Sequence, residues 1–367
     1  MSADVAAESA EASALLTRFD AEMGTAVLPF ASILLRSESA SSSQIENLTS
    51  GARAIAETEL GERDTGNASL IIRNVYAMQA ALSLSDRIHS DSIIAMHAAL
   101  LSDHVPEITG AFRGEQVWIG GSNLSPHGAT FVPPHQDRVP AAIDDLVAFI
   151  GRTDVPPLTQ AAVAHAQFET IHPFPDGNGR TGRALVQAML RSARTTTNVA
   201  VPVSAGLLRD VNGYFDALDA YRNGELDPIV RAFSAAAGFA VRNGRALVAD
   251  FQQIRLDWQE SLSGIRSDHS GRRLALLAIE HPVINGHLAT VSLGISAASA
   301  YRALDTLVER GILHPTNSKK RNRIWIADRV ITALDAFAAR AIRTQAVASS
   351  GEPASGDPSA GTTPSTA

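Results

Sequence analysis

His172-Pro173-Phe174-Pro175-Asp176-Gly177-Asn178-Gly179-Arg180-Thr181-Gly182-Arg183 holds two prolines and two glycines in its first eight residues. That composition keeps residues 172–178 out of regular helix. The stretch therefore reads as a loop joining a helix that ends near Ile171 to one that starts near Gly179. Glycines at 177 and 179 let backbone N–H groups approach a ligand closely. The helix start behind them adds unpaired donors and the positive end of a dipole, which together make an anion site. Arg180 and Arg183 are three apart on the first turn and serve the same phosphates. Asp176 supplies a hard oxygen of the kind Mg²⁺ takes beside phosphate oxygens. His172 is the residue of the stretch suited to accept a proton near neutral pH. A glycine-rich turn with a structural histidine and surface arginines would not need all of these together. The residue types point to phosphate-group transfer.

Outward from this loop the periodicity is mostly helical. Val75, Met78 and Leu82, then Ile93, Met96 and Leu100, predict two helices with a break around 83–90. Residues 110–134 are different. Gln116-Val117-Trp118-Ile119 and Thr130-Phe131-Val132 are β-prone runs around a Gly/Ser/Asn-rich stretch, which predicts a β-hairpin closed by Pro133-Pro134. Helical pattern resumes at 141–150, 158–170, 179–194, 204–222 and 228–263. A second unit starts near Arg272, with helices at 273–280, 288–294 and 296–310. In the last of these Ser296 is the expected N-cap, Tyr301, Leu304, Leu307 and Val308 the apolar stripe, and Gly311 the residue past the end. Ile312-Leu313 and Ile324-Trp325-Ile326 flank the basic turn 319–323, which completes a winged-helix pattern. The expected division is a loose or partly helical tail (1–15), an N-terminal helical region (16–69), a core (70–240), a linker helix (241–270), a winged helix (271–335) and a disordered Ser/Gly/Pro/Thr tail (349–367).

The 367 residues carry a net charge of −7, so a general polyanion binder is excluded. Residues 271–330 go the other way. Nine lysines and arginines face four acids there, a net of +5, which leaves DNA-backbone contact and protein contact both open for that unit. Zero cysteines rule out disulfides, thiolate metal sites and a cysteine nucleophile. No run of ~18 apolar residues suggests a membrane span. The N-terminus has no basic segment followed by an apolar block, so a cytoplasmic location is expected.

The 172–183 stretch resembles the signature of the Fic family, His-x-Phe-x-Asp/Glu-Gly-Asn-Gly-Arg-x-x-Arg, at every specified position. The resemblance implies an all-α bundle with a β-hairpin flap, here joined to the C-terminal winged helix. It implies transfer of AMP from ATP to a Ser, Thr or Tyr hydroxyl of a target protein, with Mg²⁺; self-modification and oligomerisation are open. In that light His172 deprotonates the hydroxyl, Asp176 holds Mg²⁺ and Phe174 anchors the loop in the core. Gly177, Asn178, Gly179, Arg180, Thr181, Gly182 and Arg183 bind the phosphates. Val117, Trp118, Ile119 and Gly120 form the flap edge, which clamps nucleotide and lines up a target strand. Tyr214 and Phe215 resemble the aromatic pair at the adenine pocket, whereas Arg222 stands where many relatives carry Asn. The Doc-type kinases have Lys where Gly179 stands, so phosphorylation is not expected. Ser42-Ser43-Gln44-Ile45-Glu46-Asn47 is similar to the family's inhibitory helix motif, Ser/Thr-x-x-x-Glu-Gly/Asn. Ser42 and Glu46 lie one helical turn apart, and the resemblance implies that Glu46 pairs with Arg183 and blocks the γ-phosphate. Removal of AMP at the same site, and a nucleotide-sensing transcriptional regulator, are the alternatives.

Overall fold

The computed structural model describes residues 1–26, 28–63, 66–121, 125–266, 269–316 and 323–349, with side chains to 342. Among these, the N-terminal half runs α1 (Ala3–Gly24), α2 (Phe30–Ile45), α3 (Ala52–Glu59), α4 (Gly66–Ser83), α5 (Ser90–Leu101), α6 (Val139–Ile150) and α7 (Pro157–Ile171). Then come α8 (Asn178–Ser192), α9 (Val203–Leu207), α10 (Val211–Arg222) and α11 (Asp227–Ser261). The C-terminal unit is α12 (Ser270–Glu280), β1 (Val283–Asn285), α13 (Gly286–Leu293), α14 (Ala297–Glu309), β2 (His314–Pro315) and β3 (Ile324–Ile326), followed by α15 (Asp328–Ser349). No helix among the described residues is long and apolar enough to cross a membrane.

Of the first fifteen residues, expected to be loose or partly helical, Ala3 onward belong to α1, which buries Val5, Ala12, Leu16 and Phe19 at helical spacing. The helix packs on α11, where Gly244 leaves room for the Phe19 ring; a Cβ there would stand 2.8 Å from it. Ser9 and Thr159 hydroxyls add a buried hydrogen bond to α7 at 2.8 Å. Alanine and serine hid this stripe because small side chains carry little hydrophobic signal while allowing close helix approach. The expected core boundary at 240 falls inside α11. Residues 241–261 continue α11, a 35-residue helix roughly 50 Å long. No proline interrupts it after its first turn, and Leu247, Phe251, Ile254 and Trp258 keep its apolar face buried.

Among the described residues, the expected hairpin is reduced to one bridge, Ile119 with Phe131. Gly120 and Gly121 turn the chain away at φ +77° and +71° immediately after Ile119. Pro133 and Pro134 end pairing on the other side. The Gln116 side chain takes the Val117 and Pro133 carbonyls, at 3.0 and 2.9 Å, in place of further ladder bonds. The C-terminal unit forms a three-stranded antiparallel sheet in the order β1-β3-β2, with Val283 opposite Ile326 and His314 opposite the same residue. Ser296 caps α14 through the Ser299 N–H, and Gly311 has φ +69°. Leu304 and Leu307 are buried, whereas Tyr301 is largely exposed and lies edge-on to Trp325. The expected boundary at 335 falls inside α15. Residues 319–322 of the basic turn and the 350–367 tail lie outside the described residues.

Helix α2 is tied at one end to the C-terminal unit. Ser32 donates to Glu280 Oε1 at 3.0 Å, and Arg36 donates to the Glu280 carbonyl. Its other end reaches α8.

Candidate active site

Helix α7 stops at Ile171 because Pro173 cannot continue it, and His172 takes up a left-handed conformation (φ 49°, ψ 63°) as its C-cap. The carbonyls exposed by this turn are collected by Arg113. Its Nε donates to His172 O at 2.8 Å, Nη1 to Glu115 O at 2.9 Å, and Nη2 to the Pro134 and Ile171 carbonyls. One buried guanidinium thus joins both feet of the flap to the residue at 172. The loop itself closes on Asn178, whose side chain accepts from Phe174 N (2.9 Å) and donates to Phe174 O (2.7 Å). Phe174 is buried and stacks on His97 at 3.8 Å. His97 Nε2 meets the Asp176 carbonyl at 3.1 Å, and burial pushes its pKa down, so the neutral ring donates there.

Helix α8 then begins with no side-chain cap, after Gly177 at φ +75°. Its first turn has no room for a side chain at 179. A Cβ on Gly179 would stand 2.3 Å from Glu46 Oε1 and 2.8 Å from Arg183 Nη1. Glu46 fills that space. Its Oε2 accepts from Arg180 Nε and its Oε1 from Arg183 Nη2, each at 2.8 Å. Arg183 also donates to the Ser42 hydroxyl through Nε and to the Ser42 carbonyl through Nη2, both at 2.8 Å. The backbone explains why Asn follows Glu46. Helix α2 ends at Ile45 in a Schellman turn, with Leu48 N on Ser43 O and Asn47 N on Gln44 O. Asn47 sits at φ +62°, a conformation that asparagine and glycine adopt most easily. A buried guanidinium such as Arg183 needs anionic or carbonyl partners, and Ser42 and Glu46 supply them.

One cavity of about 580 Å³ opens onto these groups. Its walls include Glu46, the flap residues Trp118, Ile119 and Phe131, then Glu169, His172 and Asp176, the first turn of α8, Arg183, and the α10 face from Tyr214 to Arg222. Arg222 stacks on Phe131 at 3.9 Å and pairs with Asp219 at 2.6 Å, which ties the flap to α10. Burial holds the His172 imidazole down to about 4, with the Arg113 and Arg222 charges adding to it; the ring is neutral at pH 7. Burial pushes the Glu169 carboxyl up to about 7, a rise that Arg183 opposes and Glu46 reinforces. Behind the site, Glu38 on α2 is pushed up to about 7, again by burial. It accepts from Gln187 Nε2, Ser204 Oγ and Ser204 N at 2.7 to 3.0 Å.

Of the residues expected from sequence, Glu46, Trp118, Ile119, His172, Asp176, Gly177, Asn178, Gly179, Arg183, Tyr214 and Phe215 share this cavity. Ser42 and Arg180 are buried beside it and reach it through Glu46 and Arg183. Val117, Gly120, Thr181 and Gly182 do not line it. Thr181 is buried, and Gly182 packs against Phe168, Glu169 and His165 on the far side of α8. The Asn178 side chain is spent on the loop, leaving only its backbone for a ligand. Arg113, Glu169 and the His97 stack were not anticipated. Arg113 and Glu169 lie outside any motif, and His97 stood among scattered histidines.

Residues 87–190 match the model of the Fic/DOC family. The chain is 31% identical over 150 residues to protein adenylyltransferase fic-1 of Caenorhabditis elegans, covering 40% of this chain and 26% of that protein. It is 28% identical over 187 residues to protein adenylyltransferase Fic of Nematostella vectensis, covering 49% of this chain and 40% of that protein. The chain thus spans well under half the length of these curated relatives. The fold is shared with a Fic family protein from Desulfovibrio desulfuricans G20, at a TM-score of 0.59 and 23% identity, over 89% of this chain and 96% of that one.

Proposed function

We propose that the Fic/DOC domain of this chain transfers the adenylyl group of ATP to a protein hydroxyl and is restrained by Glu46. The single cavity that joins a neutral imidazole, a carboxylate, a bare helix N-terminus and a buried arginine carries this reading. In the step, the target hydroxyl oxygen forms a bond to the α-phosphorus while the bond from that phosphorus to the α,β-bridging oxygen breaks. Pyrophosphate leaves, and the hydroxyl proton goes to His172. Arg183, Arg180 and the N–H groups at the start of α8 hold the β- and γ-phosphates. Tyr214, Phe215, Leu218 and Ile45 offer an apolar wall for the base. The flap, pinned by Arg113 and Arg222, presents its edge to an extended target segment. The donor set suits Mg²⁺ bound largely by phosphate and water: Asp176 is a mostly exposed carboxylate on the cavity wall, and the described residues hold no cluster of three metal-ligating side chains. Bound there, Mg²⁺ would neutralise charge on the phosphates.

Glu46 occupies the arginines that the phosphates need, which is the basis of the restraint. Its place on the same cavity wall as His172 also favours a second reading, removal of AMP from a target with Glu46 orienting water. We read the C-terminal α-β-α-α-β-β unit as a winged helix, on its element order and three-stranded sheet, with DNA-backbone contact as its proposed role. The deciding experiment compares α-³²P-ATP with γ-³²P-ATP on wild type, Glu46→Gly and Glu46→Gly/His172→Ala. Label from α-³²P alone should appear on the Glu46→Gly protein or a partner and fall by ~10²–10⁴ without His172. Label from γ-³²P would overturn the reading in favour of a kinase.

A further inference from the structure

We propose that a second cavity, on the far flank of α2, is an effector site for a small, uncharged, mostly apolar molecule with one hydrogen-bonding group, and that its occupant reinforces the hold of Glu46. This rests on the reading of Glu46 as the restraint. Each residue advances ~100° around a helix, so 37, 40, 41 and 44 form one stripe of α2 and 38, 42 and 46 another. The second stripe meets α8 and α9 through Arg183 and Ser204. The first lines a cavity of about 380 Å³, whose other walls are the α2–α3 turn, α3 and α15. Protein interiors leave few voids larger than a water molecule, whereas ligand sites of ~300–1,000 Å³ have mostly apolar walls with a few polar groups. Three apolar clusters meet here without merging: Ile55 and Ile71 belong to one, Ala56 to the second, and Phe337 to the main core. All four residues line the cavity.

Two polar side chains in the wall lack partners. Ser37 and Ser39 bond back to the carbonyls of Ile33 and Leu35, each at 2.9 Å. The Ser41 hydroxyl and the Gln44 amide have no hydrogen bond among the described residues, although Ser41 is only 4% exposed. The one lining cation is spent: Arg36 Nη1 donates to both Glu59 oxygens at 3.1 Å, and Nη2 donates to the Glu280 carbonyl. Asp335 then leaves the wall with one carboxylate in excess, which disfavours an anion. An uncharged body with one group for Ser41 or Gln44 fits. Residues 350–367 of the chain contain no apolar side chain larger than proline and would fill the space poorly. Ser41 adjoins the Ser42 hydroxyl and carbonyl that hold Arg183, and the Gln44 carbonyl closes the turn that carries Glu46. Phosphates that draw Arg183 away free this end of α2 to shift, and the cavity wall shifts with it. An occupant binds the seated helix and opposes that shift. It therefore weakens ATP, and ATP weakens it by the same factor.

The probe is N-phenyl-1-naphthylamine, an uncharged fluorophore with one N–H, titrated onto the full chain. It should bind saturably, and binding should persist at saturating AMP. Ala338→Phe, which sends a ring into the cavity from α15, should weaken it ~10-fold or more. The same skeleton with a sulfonate, 8-anilinonaphthalene-1-sulfonate, should bind ~10-fold more weakly. On wild type, saturating probe should lower ATP affinity ~5-fold or more, and on Glu46→Gly it should leave that affinity within about twofold. Absence of saturable binding, displacement by AMP, unchanged affinity in Ala338→Phe or tighter binding of the sulfonate overturns the site. A wild-type ATP affinity that the probe leaves within about twofold overturns the effector role. If Ala338→Phe does not fold, Ala40→Leu fills the same space from α2. If Glu46→Gly binds ATP no better than wild type, the restraint reading falls, and the AMP and Ala338→Phe titrations still judge the site.

Discussion

Replacing Glu46 with glycine should strengthen ATP binding by about two orders of magnitude. The carboxylate makes two charge-assisted hydrogen bonds of 2.8 Å, to Arg180 and to Arg183, whose side chains are only 5% and 4% exposed. Each such bond is worth ~1.5–3 kcal/mol net. The lower figure applies because Glu46 is itself 28% exposed. The two together give ~3 kcal/mol that a polyphosphate must displace before the arginines can serve it. At 1.4 kcal/mol per tenfold, that is a weakening of ~100-fold in wild type, which the substitution removes. Isothermal titration with ATP in the absence of turnover reads it directly. AMP, which lacks the distal phosphates, is the control, and its affinity should change less than about threefold. Glu46→Gln, with a neutral acceptor, should fall between. The same substitution should destabilise the free protein, since Arg183 keeps only the two Ser42 contacts, and saturating ATP should restore the melting temperature. An ATP affinity within threefold of wild type in the glycine variant would refute the competition.

Asp176→Ala should lose the advantage that Mg²⁺ gives to ATP binding, by ~10-fold or more, while metal-free ATP binds as before; equal Mg²⁺ titrations of mutant and wild type would place the ion elsewhere. Asn178→Ala removes both bonds that close the loop on Phe174 and should cost about 2 kcal/mol in urea unfolding. Glu38→Gln should stabilise the protein at alkaline pH. The folded carboxyl titrates near 7 against an ordinary 4.5, so its favourable contribution is complete below 4.5 and is lost as pH rises through 7. The difference between variant and wild type should therefore grow from near zero at pH 4.5 to ~3 kcal/mol at pH 8. A pH-independent difference would show that Glu38 is not the titrating group.

The loop at 172–183 was legible because prolines and glycines state their backbone constraints locally, and because each chemical group stands within twelve residues of the others. The meeting of Glu46 with Arg183 was implied by the resemblance of residues 42–47 to an inhibitory helix motif; turn spacing alone placed only Ser42 and Glu46 on one face. What stayed hidden depends on distant partners. Arg113 matters through carbonyls at 115, 134, 171 and 172, and a donor to backbone leaves no mark in the identity of its acceptors. Glu169 looked like one acid on an amphipathic helix, since its place on the cavity wall depends on distant elements. The flap was read with more pairing than its described residues show, because β-propensity of Val117 to Ile119 outweighed the glycines that follow. The start of the N-terminal helix was read as loose or only partly helical for the opposite reason: its buried stripe is built partly from alanine and serine.

The close approach at Gly179 makes positions 46 and 179 a single heritable character. The β-carbon of any other residue at 179 would stand 2.3 Å from the Glu46 carboxylate and 2.8 Å from the Arg183 guanidinium. Both are the far ends of flexible side chains, so a residue acquired at 179 is met by swinging the glutamate off its arginines and not by moving backbone. A lineage can therefore loosen the restraint at either position by the same displacement, and a descendant that has changed at 179 gains little from a later change at 46.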